Sequence, residues 1–388
     1  MACDDLSRQL REDPFQWLVA ANTSPPQSIR IDETAVTGLN SVIVPFFIGA
    51  SFLERCIRSV WDQQPPPGHS IEILLCDDGS TDDSLRVAAR LEQASPVLMR
   101  LRAHKDGVNR GVGPTRNLGI AAARGEFIAL LDVDDLWLPQ KLAVQMKYFA
   151  EHPHAQTVCS LGLNRDLNGV AVTGWSGSEI AGDYGHLPPY TFDLLVKLDP
   201  VVNSTVIVRR AALAKTGGYT AVMAHQAEDW LLFAKLALQA PIELIEEPLI
   251  EYLVHPGSYT HRYVHSGLEY GARVEMLYQL LHWMLQHPSH RDRAQLLYRQ
   301  ELPLLLAARP SGYRLIERYY AENHDRGPSG ESFEAFLAHV QDELSELRHY
   351  QQHVESQLDI LRRIPGAVPA YRVARAIYRR LRSSPAPP

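Results

Sequence analysis

The sequence predicts an α/β protein: a mostly parallel sheet flanked by helices, followed by a helical C-terminal region with a coiled-coil segment. Three observations carry this. Between Asn40 and Leu131, short apolar runs alternate with stretches of helical spacing, joined by short links, as right-handed crossovers between parallel strands require. Two of those runs, Ile73–Cys76 and Phe127–Leu131, lead straight into carboxylates, Asp77-Asp78 and Asp132-Val133-Asp134-Asp135. Ligands of open α/β sheets gather just past the carboxyl ends of such strands, so two acidic strand ends mark a site. The third observation is an apolar repeat between Phe333 and Leu361.

The elements follow in order. Residues 1–38 read as an N-terminal extension with a short helix around Leu6–Ala21 and a Ser-Pro-Pro turn at Ser24. Ser41–Val44 is a predicted strand, and Leu53, Ile57, Val60 and Trp61 give helical spacing to Phe52–Gln64, which Pro65-Pro-Pro-Gly68 ends. Ile71–Cys76 is a strand, and Ser80 or Thr81 caps a helix through Leu91. Val97–Ala103 is a strand, Pro114–Ala123 a helix and Phe127–Leu131 a strand. Pro139–Ala150 and Ala227–Leu238 are predicted helices. Thr157–Leu163, Val201–Val208, Ile242–Ile245 and Leu249–Val254 are predicted strands. Gly and Pro are dense between residues 162 and 189, which suits substrate-facing loops.

Residues 39–260 therefore form the expected main domain, residues 261–330 a helical packing or acceptor-side region, residues 331–362 a coiled-coil helix and residues 363–388 a basic tail. In the third of these, Phe333, Leu337, Val340, Leu344, Leu347, Val354, Leu358 and Leu361 fall on alternating four- and three-residue steps, with Gln351 the polar occupant of the seam. Such heptads pair with a second copy or pack as one long helix on their own domain. After Asp359 there are seven arginines and no acid. Arg372, Arg375, Arg379 and Arg382 share one helical face, opposite Val373, Ala374, Ile377 and Leu381, a pattern suited to an anionic membrane surface or to the acidic body of the same protein.

Composition narrows the function classes. With 45% hydrophobic and 21% charged residues among 388, the chain can bury a large core and is not a disordered one. A net charge of −7 argues against a general nucleic-acid binder, whose affinity rests on many cationic contacts to phosphate. The four cysteines show neither C-x-x-C spacing nor grouping with His, which points to a reducing compartment rather than to zinc or a disulfide framework. No apolar stretch approaches the roughly 20 residues of a membrane span, and the first residues lack a signal peptide's apolar core. The expected location is cytoplasmic, either free or with the tail at the inner face of the membrane.

The chemistry-bearing motifs then fall into line. Asp132 and Asp134, read as alternate residues of an extended strand end, face one ligand, and hard carboxylate oxygens suit a divalent cation that would neutralise a diphosphate. Asp77-Asp78-Gly79-Ser80 is either a ligand-facing turn or a helix cap with its turn glycine. Arg116, in Gly113-Pro-Thr-Arg116-Asn117-Leu-Gly119, stands at a helix start where it can pair with phosphate or orient the Asp-x-Asp carboxylates. Glu228-Asp229-Trp230 opens a helix; such acids serve the helix dipole or the chemistry. His255 precedes a Pro-Gly turn.

Taken together, Val44-Pro45, Glu72–Asp83, Gly113–Gly119, Gly125–Asp135 and Glu228-Asp229-Trp230 resemble the family 2 glycosyltransferases of the GT-A fold, over roughly residues 40–255. The resemblance implies a GT-A, Rossmann-like sheet and an inverting transferase that moves a sugar from a nucleotide-diphosphate donor to a hydroxyl of a sugar, lipid-linked or protein acceptor. It implies donor binding by Pro45, Asp77, Asp78, Arg116 and Asp132. It implies a Mn²⁺ or Mg²⁺ held by Asp134 and Asp132 with His255, catalysis by Asp229 as general base, and support from Glu228. The chain departs from the family pattern after Pro45, where Phe47 and Ile48 replace the usual aromatic-Asn pair. Two other readings stand beside this one: a sugar-nucleotide pyrophosphorylase, which lacks support because its Gly-rich first loop is absent, and a non-catalytic nucleotide-sugar-binding or scaffold protein on the same fold.

Overall fold

The computed structural model describes residues 29–172, 189–197, 199–220, 227–258 and 269–298. The chain divides into two compact units, residues 26–269 and residues 1–25 together with 270–388.

In the first unit the elements run β1 (Val36–Phe46), α1 (Ala50–Trp61), β2 (Ser70–Asp77), α2 (Ser84–Ala94), β3 (Leu98–Ala103), α3 (Val112–Ala122), β4 (Gly125–Leu130), β5 (Leu136–Trp137) and α4 (Lys141–Glu151). They continue with β6 (Thr157–Arg165), α5 (Phe192–Leu195), a single 3-10 turn at Asn203–Thr205, β7 (Ile207–Arg209), α6 (Arg210–Thr216), α7 (Glu228–Ala237) and β8 (Ile242–Leu253). One eight-stranded sheet takes the order β3-β2-β1-β4-β7-β6-β8-β5. Strands β3, β2, β1 and β4 are parallel, as the alternation of the N-terminal half predicts. The other half is mixed: β7 runs antiparallel to both β4 and β6, β8 is parallel to β6, and β5 is antiparallel to β8.

Burial explains why the parallel half reads so clearly. From Leu39 to Phe46 every residue of β1 is buried, because helices cover both faces and successive side chains point to opposite ones. Val42, Val44 and Phe46 join the cluster of Leu53, Cys56, Ile57 and Val60, the buried stripe of α1. Each such fully buried aliphatic side chain contributes about 1.5–3 kcal/mol. The alternate residue Ile43 faces α3 instead, at Gly119, where a Cβ would come within 2.8 Å of Ile43 Cγ2 and of Cys76 Sγ. Gly119 is therefore what lets α3 lie close on the sheet and brings its first turn to the strand ends.

Several elements differ from the sequence reading. The second helix starts at Ser84, not at Ser80, because Asp82 accepts the Ser84 N–H at 3.1 Å and the intervening residues form the turn after β2. The stretch 201–208 is not one strand: the 3-10 turn at Asn203–Thr205 interrupts it, and only Ile207–Arg209 pairs. The two strands expected either side of residue 248 are one strand, β8, whose pairing with β6 shifts register around Pro248. Residues 132–135 do not continue β4. The chain turns there, with the Asp135 N–H bonded to the Asp132 carbonyl at 3.1 Å, so Asp132 and Asp134 are not alternate residues of an extended strand.

In the second unit, α8 (Glu269–Leu285) buries Met276, Leu277, Leu280, Leu281 and Met284, and Trp283 stacks on His287 at 4.0 Å. No helix among the described residues is long and apolar enough to cross a membrane. The expected N-terminal helix, the heptad segment at 333–361 and the basic tail at 363–388 lie outside the described residues.

Candidate active site

Strand order sets the location. β1 lies between β2 on one side and β4 on the other. The chain runs outward from β1 through β2 to β3, then returns to β4 on the far side of β1, so the strand order reverses between β1 and β4. Ligands of open α/β sheets bind at the carboxyl ends of the strands at such a point. The turn after β4 stands at that point, with Leu131 N–H bonded to the Ile43 carbonyl of β1 at 3.1 Å. Pro45 is the penultimate residue of β1, opposite Cys76.

The centre of the site is Arg116, buried in the first turns of α3. Its guanidinium donates to Asp132 Oδ1 at 2.6 Å and to Glu228 Oε1 at 2.6 Å, and lies over the Tyr219 ring at 5.1 Å. One side chain thus ties together three elements that are far apart in sequence: α3, the turn after β4 and the start of α7. Charge-assisted bonds of this length are the strong ones, and removing the cation would strand two acids in a buried setting. Burial works against charge on Arg116, but Asp132, Tyr219, Glu228 and Asp229 outweigh it and hold the group firmly cationic.

The acids at the head of α7 share this environment. Glu228 is pushed up to about 8, by burial first and then by the Asp229 charge, with Arg116 pulling the other way. Asp229, partly exposed, is raised too, chiefly by burial, and its Oδ1 accepts the Trp230 N–H at 2.8 Å. Raised so far, the Glu228 carboxyl holds its proton near neutral pH, and the upward shift of Asp229 makes its carboxylate a stronger base than an ordinary aspartate. Ala227, the residue before them, has φ +53, an uncommon left-handed geometry for a side chain with a Cβ.

The turn after β4 divides its three acids. Asp132 is held through Oδ1 by Arg116 and by Asn203 Nδ2 at 3.1 Å. Asp135 is buried; Ser204 Oγ donates to its Oδ2 at 2.5 Å and the Leu253 N–H to its Oδ1 at 3.0 Å. Burial first, then the charges of Asp134 and Asp132, drive its carboxyl well above the ordinary range. Asp134 turns instead toward His255, with Oδ2 and Nε2 3.3 Å apart, and the His255 ring packs against Phe52 at 5.2 Å between centroids. Among the described residues no group of three His, Cys, Asp or Glu is gathered to hold a metal. The expected trio splits: Asp134 and His255 converge as an oxygen-nitrogen pair of the kind divalent cations accept, while Asp132 is engaged by Arg116 and Asn203.

The turn after β2 is built differently. Both Asp77 and Asp78 are buried, and their partners are backbone amides. Asp77 accepts the N–H groups of Gly79 at 3.0 Å and Ser80 at 3.1 Å, closing its own turn. Asp78 accepts those of Arg110 at 2.8 Å and Gly111 at 3.0 Å, and so clamps the segment that leads into α3. His104 Nε2 lies 3.7 Å from Asp78 Oδ1 and 3.0 Å from Thr115 Oγ1.

The structure thus brings Arg116, Asp132, Glu228 and Asp229 into one constellation, pairs Asp134 with His255, and sets Asp77 and Asp78 into the backbone frame beside them. It also brings in Asn203, Ser204 and Tyr219, which no sequence motif singled out.

Comparison with known proteins places this architecture. Residues 41–185 match the model of glycosyl transferase family 2. The chain carries a family 2 glycosyl transferase domain. An uncharacterized glycosyltransferase of Nostoc is 43% identical over 103 residues, which is 26% of this chain and 30% of that protein. EpsH of Bacillus subtilis, described as a glycosyltransferase, is 24% identical over 288 residues, covering 70% of this chain and 75% of that one. The fold is shared with S. aureus TarS 1–349, solved in complex with UDP-GlcNAc. That structure superposes with a TM-score of 0.51 at 20% identity, over 73% of this chain and 83% of that one.

Proposed function

We propose that this protein transfers a sugar from a nucleoside-diphosphate donor to an acceptor hydroxyl with inversion at the anomeric carbon, in the synthesis of a polysaccharide, glycolipid or glycoprotein glycan. The observation that carries the reading is the Arg116 node, because it sets the donor-side carboxylate of Asp132 and the acids Glu228 and Asp229 around one crevice at the sheet's switch point.

Asp229 is the general base. Burial raises its pKa, which strengthens it as a proton acceptor, and its partial exposure lets an acceptor hydroxyl reach it. Glu228, bonded to Arg116, holds the head of α7 in register with the donor side and orients the acceptor. Attack by the deprotonating hydroxyl on the face opposite the leaving diphosphate forms the new C–O bond as the old one breaks, the proton passing to Asp229. Asp134 and His255 are the residues that would hold Mn²⁺ or Mg²⁺, which when bound compensates the charge on the leaving diphosphate. Asp132 orients the donor, with Pro45, Asp77 and Asp78 framing the nucleotide side. The chain spans 30% of the Nostoc relative, so the acceptor chemistry is read from this site alone.

The test is Asp229→Asn. Transfer from donor should fall by about 10²–10⁴-fold, the usual contribution of a general base, while nucleoside-diphosphate affinity measured by calorimetry with Mn²⁺ stays at the wild-type value. Transfer at the wild-type rate would remove Asp229 from the mechanism.

A further inference from the structure

Asp132 emerges from the turn after β4 with its side chain 30% exposed, on a stretch of chain that no sheet pairing restrains. A carboxylate so placed rotates freely unless something holds it. Two donors reach its Oδ1, Arg116 from one element and Asn203 Nδ2 from another, and among the described residues no donor reaches Oδ2. One oxygen is therefore anchored and the other left for a ligand.

Both anchors are themselves held by Tyr219. Its hydroxyl, buried, donates to Asn203 Oδ1 at 3.1 Å, which decides which end of the Asn203 amide faces Asp132. Its ring lies beneath the Arg116 guanidinium at 5.1 Å. Tyr219 in turn is gripped through its backbone by Asn117, the neighbour of Arg116, which accepts the Tyr219 N–H at 2.9 Å and donates to its carbonyl at 2.8 Å. Gly218 makes room for that grip: with φ +77, a Cβ there would stand 2.6 Å from Asn117 Oδ1. The turn that carries Asn203 is pinned from below, its Thr205 carbonyl accepting from Lys141 Nζ at 3.2 Å and Gln145 Nε2 at 2.8 Å, and its Ser204 carbonyl from Trp137 Nε1 at 3.3 Å.

We propose that Asn203 and Tyr219 are positioning residues, which hold Asp132 in the rotamer that presents Oδ2 to the donor. The inference rests on the reading of this crevice as a nucleoside-diphosphate sugar site and deepens it. Asn203 acts only through Asp132, and Tyr219 acts through Asn203 and Arg116. A network that served the fold alone would need neither the free Oδ2 nor an amide whose two ends are separately assigned.

The test uses the full-length protein and calorimetric titration with UDP, and in parallel GDP, in the presence of Mn²⁺. Asn203→Ala should weaken nucleotide binding roughly tenfold, the loss expected of one hydrogen bond to a charged group, and the conservative Tyr219→Phe should weaken it about three- to fivefold, the smaller loss expected of one neutral hydrogen bond. Asp132→Asn combined with Asn203→Ala should bind no more weakly than Asp132→Asn alone, because a residue that acts through another has nothing left to hold. Wild-type affinity in both single variants, or losses that add in the double variant, would make the network a structural one and overturn the proposal. Absence of binding by the wild-type protein to either nucleotide would overturn the donor-site reading first and this proposal with it, and that outcome is visible before any variant is made.

Discussion

The two acidic strand ends look alike in sequence and are built in opposite ways. After β2, Asp77 and Asp78 bond backbone amides, Asp77 those of its own turn and Asp78 those of the segment that leads into α3. After β4, Asp132, Asp134 and Asp135 bond side chains delivered by other elements, namely Arg116, Asn203, His255 and Ser204, apart from the one amide of Leu253 on Asp135. Backbone amides are always present, so a carboxylate that takes them is fixing a chain path. Side chains brought from distant elements can be replaced or displaced, and a carboxylate held that way is free to exchange a partner for a ligand. The kind of partner, more than the acid itself, separates the frame from the working part.

That contrast can be broken in order of effect. Arg116→Met should be the most damaging change to stability, about 3–5 kcal/mol in a denaturant titration, because Asp132 and Glu228 lose their shared cation. A loss under about 1 kcal/mol would mean that the side-chain-held end is not held by Arg116. Asp78→Ala should cost about 1–3 kcal/mol by leaving the Arg110 and Gly111 amides without their acceptor. If instead its melting temperature is unchanged and only nucleotide binding suffers, the β2 end belongs to the working part after all.

A third prediction concerns pH. Glu228 is raised from 4.5 to about 8 in the folded state, so the folded protein binds a proton that the unfolded chain has lost. Its contribution is fully present below about 4.5 and disappears as pH rises through about 8. The melting temperature of the wild-type protein should fall across that window, and Glu228→Gln should flatten the fall. Parallel curves for the two proteins would place the proton elsewhere. The smallest effect lies at the end of β1, where Ile48 has φ +50, a left-handed conformation that a β-branched residue adopts only under strain. Ile48→Asn, exposed at the surface and tolerant of that geometry, should stabilise by about 1 kcal/mol, read from the shift in denaturation midpoint.

How far the sequence reveals this molecule depends on the distance over which each residue finds its partners. β1, β2, β3 and β4, with the helices between them, are legible to within a few residues because buried strands write their burial into continuous apolar runs. Arg116, Asp132, Glu228 and Asp229 are legible as motifs; of the two uses the sequence allows Arg116, pairing with phosphate or orienting the Asp-x-Asp carboxylates, the structure shows a bond to one of those carboxylates, Asp132. Asn203-Ser204-Thr205 is not legible. It sits between Val201-Val202 and Val206-Ile207-Val208 and reads as more strand, while the acid that explains Asn203 lies 71 positions away. Tyr219 after Gly217-Gly218 reads as an ordinary core aromatic, since nothing local shows that its hydroxyl meets Asn203. Pro248 suggests a break between strands, yet β8 carries it at a shift of register with β6, where the ladder is already irregular.

Arg116 and Asn117 are consecutive residues, and one grips Glu228 while the other grips the backbone of Tyr219. The backbone around Tyr219 and the head of α7 are thus both set by one turn of one helix, so their spacing is inherited from α3 rather than fixed by contacts between them. Any displacement of α3 carries the two together, and the distance between the Tyr219 hydroxyl and the Glu228 carboxyl is a property of that helix turn.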